Sequence, residues 1–189
     1  MQRNERLRWG LWLLSAVVVL VGLWYPKRHS SLSPVSSVEE RVVEAFWLSE
    51  AGDTLSPAER ARIASLVAQV SDSSPSAYAA AVSFLLLYAG DHLSGPPMVY
   101  IQRLQQMRED PWVLAYLGRL AWHTGQKEKA YRYLREAIQQ DASCGPAYLF
   151  LAEMEEDSAC VWLSRAAVAT FPIGAQRLRE RLISRFRCS

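Results

Sequence analysis

The chain has 189 residues, of which 50% are hydrophobic and 21% are charged, enough for one domain of ordinary size with a short appendage. A net charge of +2 is too small to indicate a nucleic-acid partner, and the three cysteines and three histidines form no familiar zinc-binding spacing. Outside the N-terminus no β-branched run is typical of a strand. We therefore predict an all-α fold without a metal ion, a cofactor or a small-molecule substrate.

The first predicted element is an apolar run at residues 9–25. A helix of this length, at a rise of about 1.5 Å per residue, can just cross the hydrocarbon core of a bilayer. Tryptophan and tyrosine residues gather near its two ends, where their rings favour the membrane interface. The residues that follow lack the small side chains of a signal-peptidase site. We therefore predict a transmembrane helix that stays attached, rather than a cleaved signal peptide or a buried core helix.

The orientation of this helix is predicted from its flanks. Basic residues lie on both sides of it: Arg3, Arg6 and Arg8 in the flank 1–8, and Lys27 and Arg28 in the linker 26–37. The small excess before the helix favours a cytoplasmic N-terminus by the positive-inside rule. The rest of the chain would then lie on the periplasmic or another extracytoplasmic side. The inverted arrangement, with that part in the cytosol, stays open.

Residues 38–189 are predicted to form one helical domain. Two capping boxes, at Ser37 to Glu40 and at Ser56 to Glu59, open its first two helices. A third helix begins at Ser74-Pro75 and ends at Gly90, and a fourth runs from Met98 to Arg108. We expect the first two helices to form an early repeat and the next two to pair as a hairpin.

The clearest pattern in the chain is a helical hairpin at residues 111–142. Asp110 and Pro111 mark its start as N-cap and first helical residue. Small and apolar residues then recur at helical spacing on both sides of a break at Gly125: Leu114, Leu117, Gly118 and Ala121 before it, and Ala130, Leu134 and Ala137 after it. We place Gly118 and Ala130 at the helix crossing, because larger side chains there would push the two axes beyond about 8–10 Å.

At these residues the segment resembles a tetratricopeptide repeat, whose pattern is W-x2-L-G-x2-Y, then A-x3-F, then P. The spacing Leu114-x2-Leu117-Gly118-x2-Ala121 matches its first half and Ala130-x3-Leu134 its second half. The chain departs from the pattern at three positions, where Leu114, Ala121 and Ala142 replace the usual Trp, Tyr and Pro. The resemblance implies a right-handed superhelix of helical hairpins.

A degenerate repeat follows at residues 145–172. It repeats the same offsets at Tyr148, Leu151 and Ala152 and again at Ala159, Leu163 and Ala166. Several residues are missing between the two halves, so we expect its first helix to be about one turn shorter. Like the other repeats, it needs neighbours to bury its apolar face, and about three units are the usual minimum.

The predicted C-terminal helix, at residues 174–188, is amphipathic. Its two faces are an apolar one at Leu178, Leu182 and Phe186 and a basic one at Arg177, Arg181 and Arg185. We interpret it mainly as the polar capping helix that repeat arrays need. The alternative is a basic surface for anionic lipid headgroups or an acidic partner.

The resemblance also implies a binding site, because the first helices of such repeats line a concave groove that holds a partner's peptide or helix. The positions that align with the groove are Trp112, Ala115, Arg119 and Trp122, with Glu153 in the shortened copy. Trp and Arg are common at binding hot spots. The alternatives are that Trp122 packs between repeats and that Arg119 is merely solvated.

The sequence indicates no enzyme. The acidic run at residues 153–157 is interpreted as a solvated face, and His123 lacks a nucleophile at a telling spacing. Cys144 and Cys160 could meet between repeats, as a disulfide in an oxidising compartment or as buried thiols in the cytoplasm. We expect a membrane-anchored adaptor, scaffold or assembly factor for a protein partner in or near the bilayer. The alternative is a permanent accessory subunit of a larger respiratory or photosynthetic membrane complex.

Overall fold

The structure, a computed structural model, describes residues 37–71 and 73–188. Within these residues all regular structure is helical and there is no strand, so the all-α prediction is confirmed for this part. The nine α-helices found there are α1 (Val38–Glu50), α2 (Pro57–Val67), α3 (Pro75–Tyr88), α4 (Pro97–Gln106), α5 (Pro111–His123), α6 (Lys127–Gln140), α7 (Gly145–Met154), α8 (Ala159–Arg165) and α9 (Ala175–Phe186).

The predicted transmembrane helix at residues 9–25 and its flank at 1–8 lie outside the described residues, as does the linker 26–37 except for Ser37. In the described part of the chain, no helix combines the length and the hydropathy that a membrane span requires.

The helix starts follow from local chemistry. Both predicted capping boxes are confirmed, and in the first the Ser37 hydroxyl accepts from the Glu40 amide at 3.2 Å while the Ser37 amide donates to Glu40 at 3.0 Å. The Asp110 carboxylate accepts from the amides of Trp112 and Val113 at 2.8 and 3.2 Å. These bonds satisfy donors that the first turn of a helix otherwise leaves unpaired.

Helices α5 and α6 form the most extensively packed pair in the described residues. Gly125, with φ +75°, makes the turn between them in the left-handed region that favours glycine. A Cβ built on Gly118 would lie 2.8 Å from the Leu134 side chain and 3.3 Å from the Ala130 carbonyl oxygen. The predicted crossing at Gly118 and Ala130 is therefore confirmed, since a side chain at Gly118 would require Leu134 to move.

The N-terminal helices pack differently from the expectation. Helix α1 packs more extensively on α3 than on its chain neighbour α2, and α3 in turn packs on α5. Helix α4 touches α3 and α5 only sparsely, and Leu104 is its one buried residue. The expected α3–α4 hairpin is thus a minor contact, because α1 and α5 cover most of the apolar surface of α3.

The C-terminal helices close the fold. Helix α7 has 10 residues where α5 has 13, as expected for the shortened copy. Helix α9 packs on α7 and α8 and also on α1, so the last helix of the described chain lies against the first. Gly174, just before α9, comes so near that an added Cβ would lie 3.3 Å from both the Glu44 carbonyl oxygen and the Trp47 Cβ.

Candidate functional site

An aromatic cluster holds α1 against α5 and α7. The indole of Trp47 stacks on the ring of Phe150, with centroids 5.2 Å apart and planes 8° from parallel. Its Nε1 donates to the Tyr116 hydroxyl at 3.0 Å. Phe46 packs edge-on against both Trp47 and Tyr116 at 5.2 Å. All four side chains are buried, so the hydrogen bond to Tyr116 spares the indole N–H the cost of burial without a partner.

Next to this cluster, Arg119 of α5 makes a bidentate pair with Glu50 at the end of α1. Its Nε donates to Glu50 Oε1 at 3.1 Å and its NH2 to Oε2 at 2.5 Å. Its third nitrogen, NH1, lies 3.0 Å from Glu153 Oε2 on α7. The exposed fractions of the Arg119 and Glu50 side chains are only 7% and 0%. Their charges are therefore compensated within the fold.

The electrostatics of the pair keep Arg119 charged. Burial by itself lowers the pKa of Arg119, but the negative charges of Glu50 and then Glu153 outweigh it, so the pKa ends above its usual value. Tyr88 of α3 also lies near the Glu50 carboxylate. Burial and then the Glu50 charge raise the pKa of Tyr88, which therefore remains a protonated hydrogen-bond donor at neutral pH.

The charges continue to α9, where Arg181 NH2 lies 3.5 Å from the other carboxylate oxygen of Glu153. We call Glu50, Arg119, Glu153 and Arg181 the ion network, since these four residues link α1, α5, α7 and α9. The interpretation of residues 153–157 as a solvated face is wrong for Glu153, whose side chain is only 17% exposed. The fold brings basic residues from two other helices to it.

The predicted groove residues fall into two groups. Arg119 and Glu153 do lie together, and Ala115 is fully buried, but α1 and α9 cover the face that carries them. Trp122 packs edge-on against Tyr131 at 6.1 Å, under the ammonium group of Lys127. Trp112 is half-buried at the opposite end of α5, about 15 Å away along the helix axis. The structure therefore does not bring the two tryptophans together.

Sequence reasoning missed Glu50 as a partner of Arg119. Glu50 follows Trp47 by three residues, so it lies on the same face of α1 as a large apolar side chain. A carboxylate in that position is a signal of a buried charge that needs a cation. Nothing in the local pattern identifies that cation, because Arg119 is 69 residues further along the chain.

The basic face of α9 is largely paired within the molecule. Arg177 NH1 lies 2.6 Å from Asp53 Oδ2, Arg181 contacts Glu153, and Arg185 pairs with Glu156. These side chains remain 39–54% exposed, so solvent screens the pairs. The three predicted surface arginines thus face acidic residues at the ends of α1 and α7, in exposed pairs that contribute little to stability.

The structure settles the alternatives left open for Cys144 and Cys160, since these two residues do not form a disulfide. Cys160 forms a disulfide with Cys188, with their Cα atoms 5.3 Å apart, whereas Cys144 is a free thiol and is fully buried. The reason is geometric: Cys144 starts α7 underneath α5, with its Sγ 3.6 Å from the Pro111 carbonyl oxygen, while Cys160 lies on an exposed side of α8. Burial raises the pKa of Cys144 to about 12, so this thiol is unreactive at neutral pH.

A cleft with a volume of about 400 Å³ lies elsewhere, between α2, α3 and α4. Its walls combine apolar side chains such as Val67 and Leu85 with the polar groups of Tyr78, Tyr100 and Arg103. The Arg103 guanidinium lies over the Tyr78 ring at 5.8 Å. Residues 37–71 and 73–188 contain no group of His, Cys, Asp and Glu side chains arranged to bind a metal ion.

No protein-family model matches the chain, and comparisons with curated proteins and with solved structures find no significant relative.

Proposed function

We propose that this chain is a membrane-tethered adaptor or assembly factor, built as a tetratricopeptide-like superhelix, that holds a protein partner near the bilayer. The observation that carries the proposal is the α5–α6 hairpin. Its close crossing at Gly118 against Leu134 and Ala130 is the contact that the repeat pattern requires. Stacked helical hairpins of this kind present extended surfaces to other proteins.

In this proposal α1 is a built-in occupant of the groove. Trp47 and Glu50 fill the place that a partner's helix would take, and Arg119 and Glu153 hold α1 there rather than an external ligand. An external partner then contacts accessible residues. Among these, Met98 and Val99 at the start of α4 are 59% and 58% exposed, unusually high for large apolar side chains.

We place the helical domain on the extracytoplasmic side of the membrane. The Cys160–Cys188 disulfide supports this, since such bonds persist in oxidising compartments and are rare in the cytosol. It agrees with the slight excess of arginines before residues 9–25, which favours a cytoplasmic N-terminus.

A second candidate is a permanent accessory subunit of a larger membrane complex. The filled groove favours it, because exchange of a partner at Arg119 and Glu153 would first require Trp47, which is fully buried, to leave. A subunit that binds once during assembly does not exchange its partner, so it would not need Trp47 to leave repeatedly. In this case anchor and helices both serve as structural contacts.

Chemical crosslinking in native membranes, followed by detergent purification of the full chain, tests the proposal. An adaptor should retain its partner in substoichiometric amounts, and a permanent subunit at a fixed ratio. If Met98 and Val99 contact the partner, changing both to Glu should reduce the crosslinked yield at least tenfold. The matched control is Val168→Glu, which alters an 89% exposed valine in the short helical turn after α8.

Two outcomes would contradict the proposal. One is a wild-type chain that crosslinks to no protein above the background of an untagged membrane. The other is a full chain that is recovered without detergent, since a tethered adaptor must fractionate with the lipid. Equal losses for the α4 double variant and Val168→Glu would reject the α4 surface but not the adaptor role.

A further inference from the structure

The C-terminal end of α9 is attached to the fold by the Cys160–Cys188 disulfide. The fully buried residues of α9, Ala175, Leu178 and Leu182, all lie in its first eight positions. Its last turn contributes only the half-buried Ile183 and Phe186, together with the exposed Arg185–Glu156 pair. The disulfide is therefore the strongest restraint on the end of this helix.

This end of α9 adopts an unfavourable backbone conformation. Arg187 has φ 53° and is the only non-glycine residue with a positive φ in the described part of the chain. It forms a C-terminal cap in which the Cys188 amide donates to the Ile183 carbonyl at 3.1 Å and the Arg187 amide to the Ser184 carbonyl at 3.4 Å. Glycine usually occupies this position, because a Cβ is strained there. The neighbouring disulfide holds the strained cap in place.

Helix α9 contacts residues of the aromatic cluster and of the ion network. Its start abuts Glu44 and Trp47 of α1, its Arg177 pairs with Asp53 beyond the end of α1, and its Arg181 is a member of the ion network. The contacts with α1 are made by the first part of α9, so they do not depend on the disulfide. The last turn covers Glu156 beyond α7 and the side of α8 that carries Cys160.

We propose that the Cys160–Cys188 disulfide is a redox-sensitive latch: its reduction by an external dithiol releases the last turn of α9 and uncovers Glu156 and the side of α8 underneath. The inference concerns the conformation of this chain, and it holds whether or not the chain is an adaptor. It joins three independent observations: an exposed Cys160, a strained cap next to Cys188, and a helix whose last turn is otherwise weakly held.

The chemistry is thiol–disulfide exchange. A thiolate of the dithiol attacks Cys160 Sγ, which lies on an exposed residue; the Cys160–Cys188 bond breaks, and Cys188 leaves as a thiolate that takes up a proton. This attack leaves a mixed disulfide between the dithiol and Cys160. The second thiolate of the dithiol then attacks the dithiol sulfur of that mixed disulfide. Cys160 leaves as a thiolate and is protonated in turn. The dithiol is oxidised by two electrons to a disulfide, and the protein gains two thiols.

Hydrogen–deuterium exchange on the full chain, with and without dithiothreitol, tests the latch. Reduction should accelerate amide exchange at least tenfold in residues 183–188, with a smaller increase in α8 and none in α5 and α6. A change below twofold in residues 183–188 would overturn the proposal. So would an equal acceleration in every helix, because the disulfide would then stabilise only the fold as a whole.

Three variants sharpen this test. The double variant Cys160→Ser/Cys188→Ser should show the fast exchange without any reductant. Cys144→Ala, which removes the thiol outside the disulfide, should keep the full response to dithiothreitol. Arg187→Gly should slow exchange of the last turn in the reduced chain, because it relieves the strain of the cap. Equal rates in reduced wild type and reduced Arg187→Gly would contradict the part assigned to the strained cap.

Discussion

The α5–α6 pair and the α3–α4 pair show two ways in which helices of similar size find partners. Helices α5 and α6 follow each other in the chain and pack directly, since Gly118 lets Leu134 approach the α5 backbone. Helices α3 and α4 also follow each other, yet α3 packs on α1 and α5 and leaves α4 with Leu104 as its one buried residue. In these two pairs, helices that are adjacent in the chain pack extensively on each other only where small residues allow their backbones to approach closely.

The largest expected effect comes from the non-local contact that joins α1 to α5. Arg119→Met leaves Glu50 and Glu153 as neighbouring carboxylates without their shared cation, and we expect it to lower the free energy of unfolding by about 3–5 kcal/mol. Urea unfolding of the full chain measures this change. Adding Glu50→Met to the variant should restore part of the loss, because it removes one uncompensated buried charge.

The control for this prediction is Arg177→Met, which breaks the exposed pair with Asp53 and should cost at most about 1 kcal/mol. If Arg119→Met costs no more than this control, the ion network does not fasten α1 to the rest of the fold.

A second prediction compares the two helix pairs directly. Leu134 of α6 and Leu104 of α4 are both 0% exposed, so truncating either to Ala removes the same buried atoms. We expect Leu134→Ala to cost near the upper end of about 2–5 kcal/mol and Leu104→Ala near the lower end. The reason is that the sparsely packed α4 can move to fill the cavity, whereas α6 cannot. Equal costs in urea unfolding would mean that α4 is held as firmly as α6.

A third prediction concerns the crossing itself. Gly118→Val adds a branched side chain where Leu134 and the α6 backbone already lie in contact, and should destabilise the chain by about 1–3 kcal/mol. Gly118→Ala should be much milder, because the end of the Leu134 side chain can shift and Ala favours a helix over Gly by about 1 kcal/mol. Thermal unfolding monitored by circular dichroism separates the two variants.

Gly90→Ala is the control, since an added Cβ at Gly90 meets nothing within 4 Å. A Gly118→Val variant as stable as Gly90→Ala would show that α5 and α6 do not need their close approach.

The smallest expected effect is on pH dependence. Partial desolvation, followed by the positive charge of Arg119, lowers the pKa of His123 below its ordinary value of 6.5. The unfolded chain therefore binds a proton more readily at this site than the folded chain, so stability should decrease as the pH falls from about 7 through 6.5 to the folded pKa, and this site adds no further change below it. His123→Gln should flatten this slope in unfolding measured across that range.

The matched control is His92→Gln, which removes a histidine that lines the α2–α4 cleft and lies away from Arg119. If both variants change the slope equally, the pH dependence does not arise from the surroundings of His123.

Local rules account for what was predicted correctly. Ser37, Ser56 and Asp110 cap helices with their own side chains, so a few neighbouring residues decide where those helices begin. The Gly118 crossing also follows from spacing, because its partner Leu134 lies on the next helix in the chain, after the single turn at Gly125. The Cys160–Cys188 disulfide and the Glu50–Arg119 pair, neither of which was predicted, have the opposite character. Both depend on how separate helices pack against each other, and helical periodicity contains no information about that.

By itself, the amino-acid sequence determined the helical class of residues 37–71 and 73–188, the capped starts of several helices and the α5–α6 turn, since capping and periodicity act over a few residues. Only the tertiary structure decided that α1 covers the face of Arg119 and Glu153, and that α9 lies on α1 with its end joined to α8 by a disulfide. The physical reason is that a buried charge or a thiol specifies the kind of partner it needs, while the packing of distant helices selects which residue supplies it.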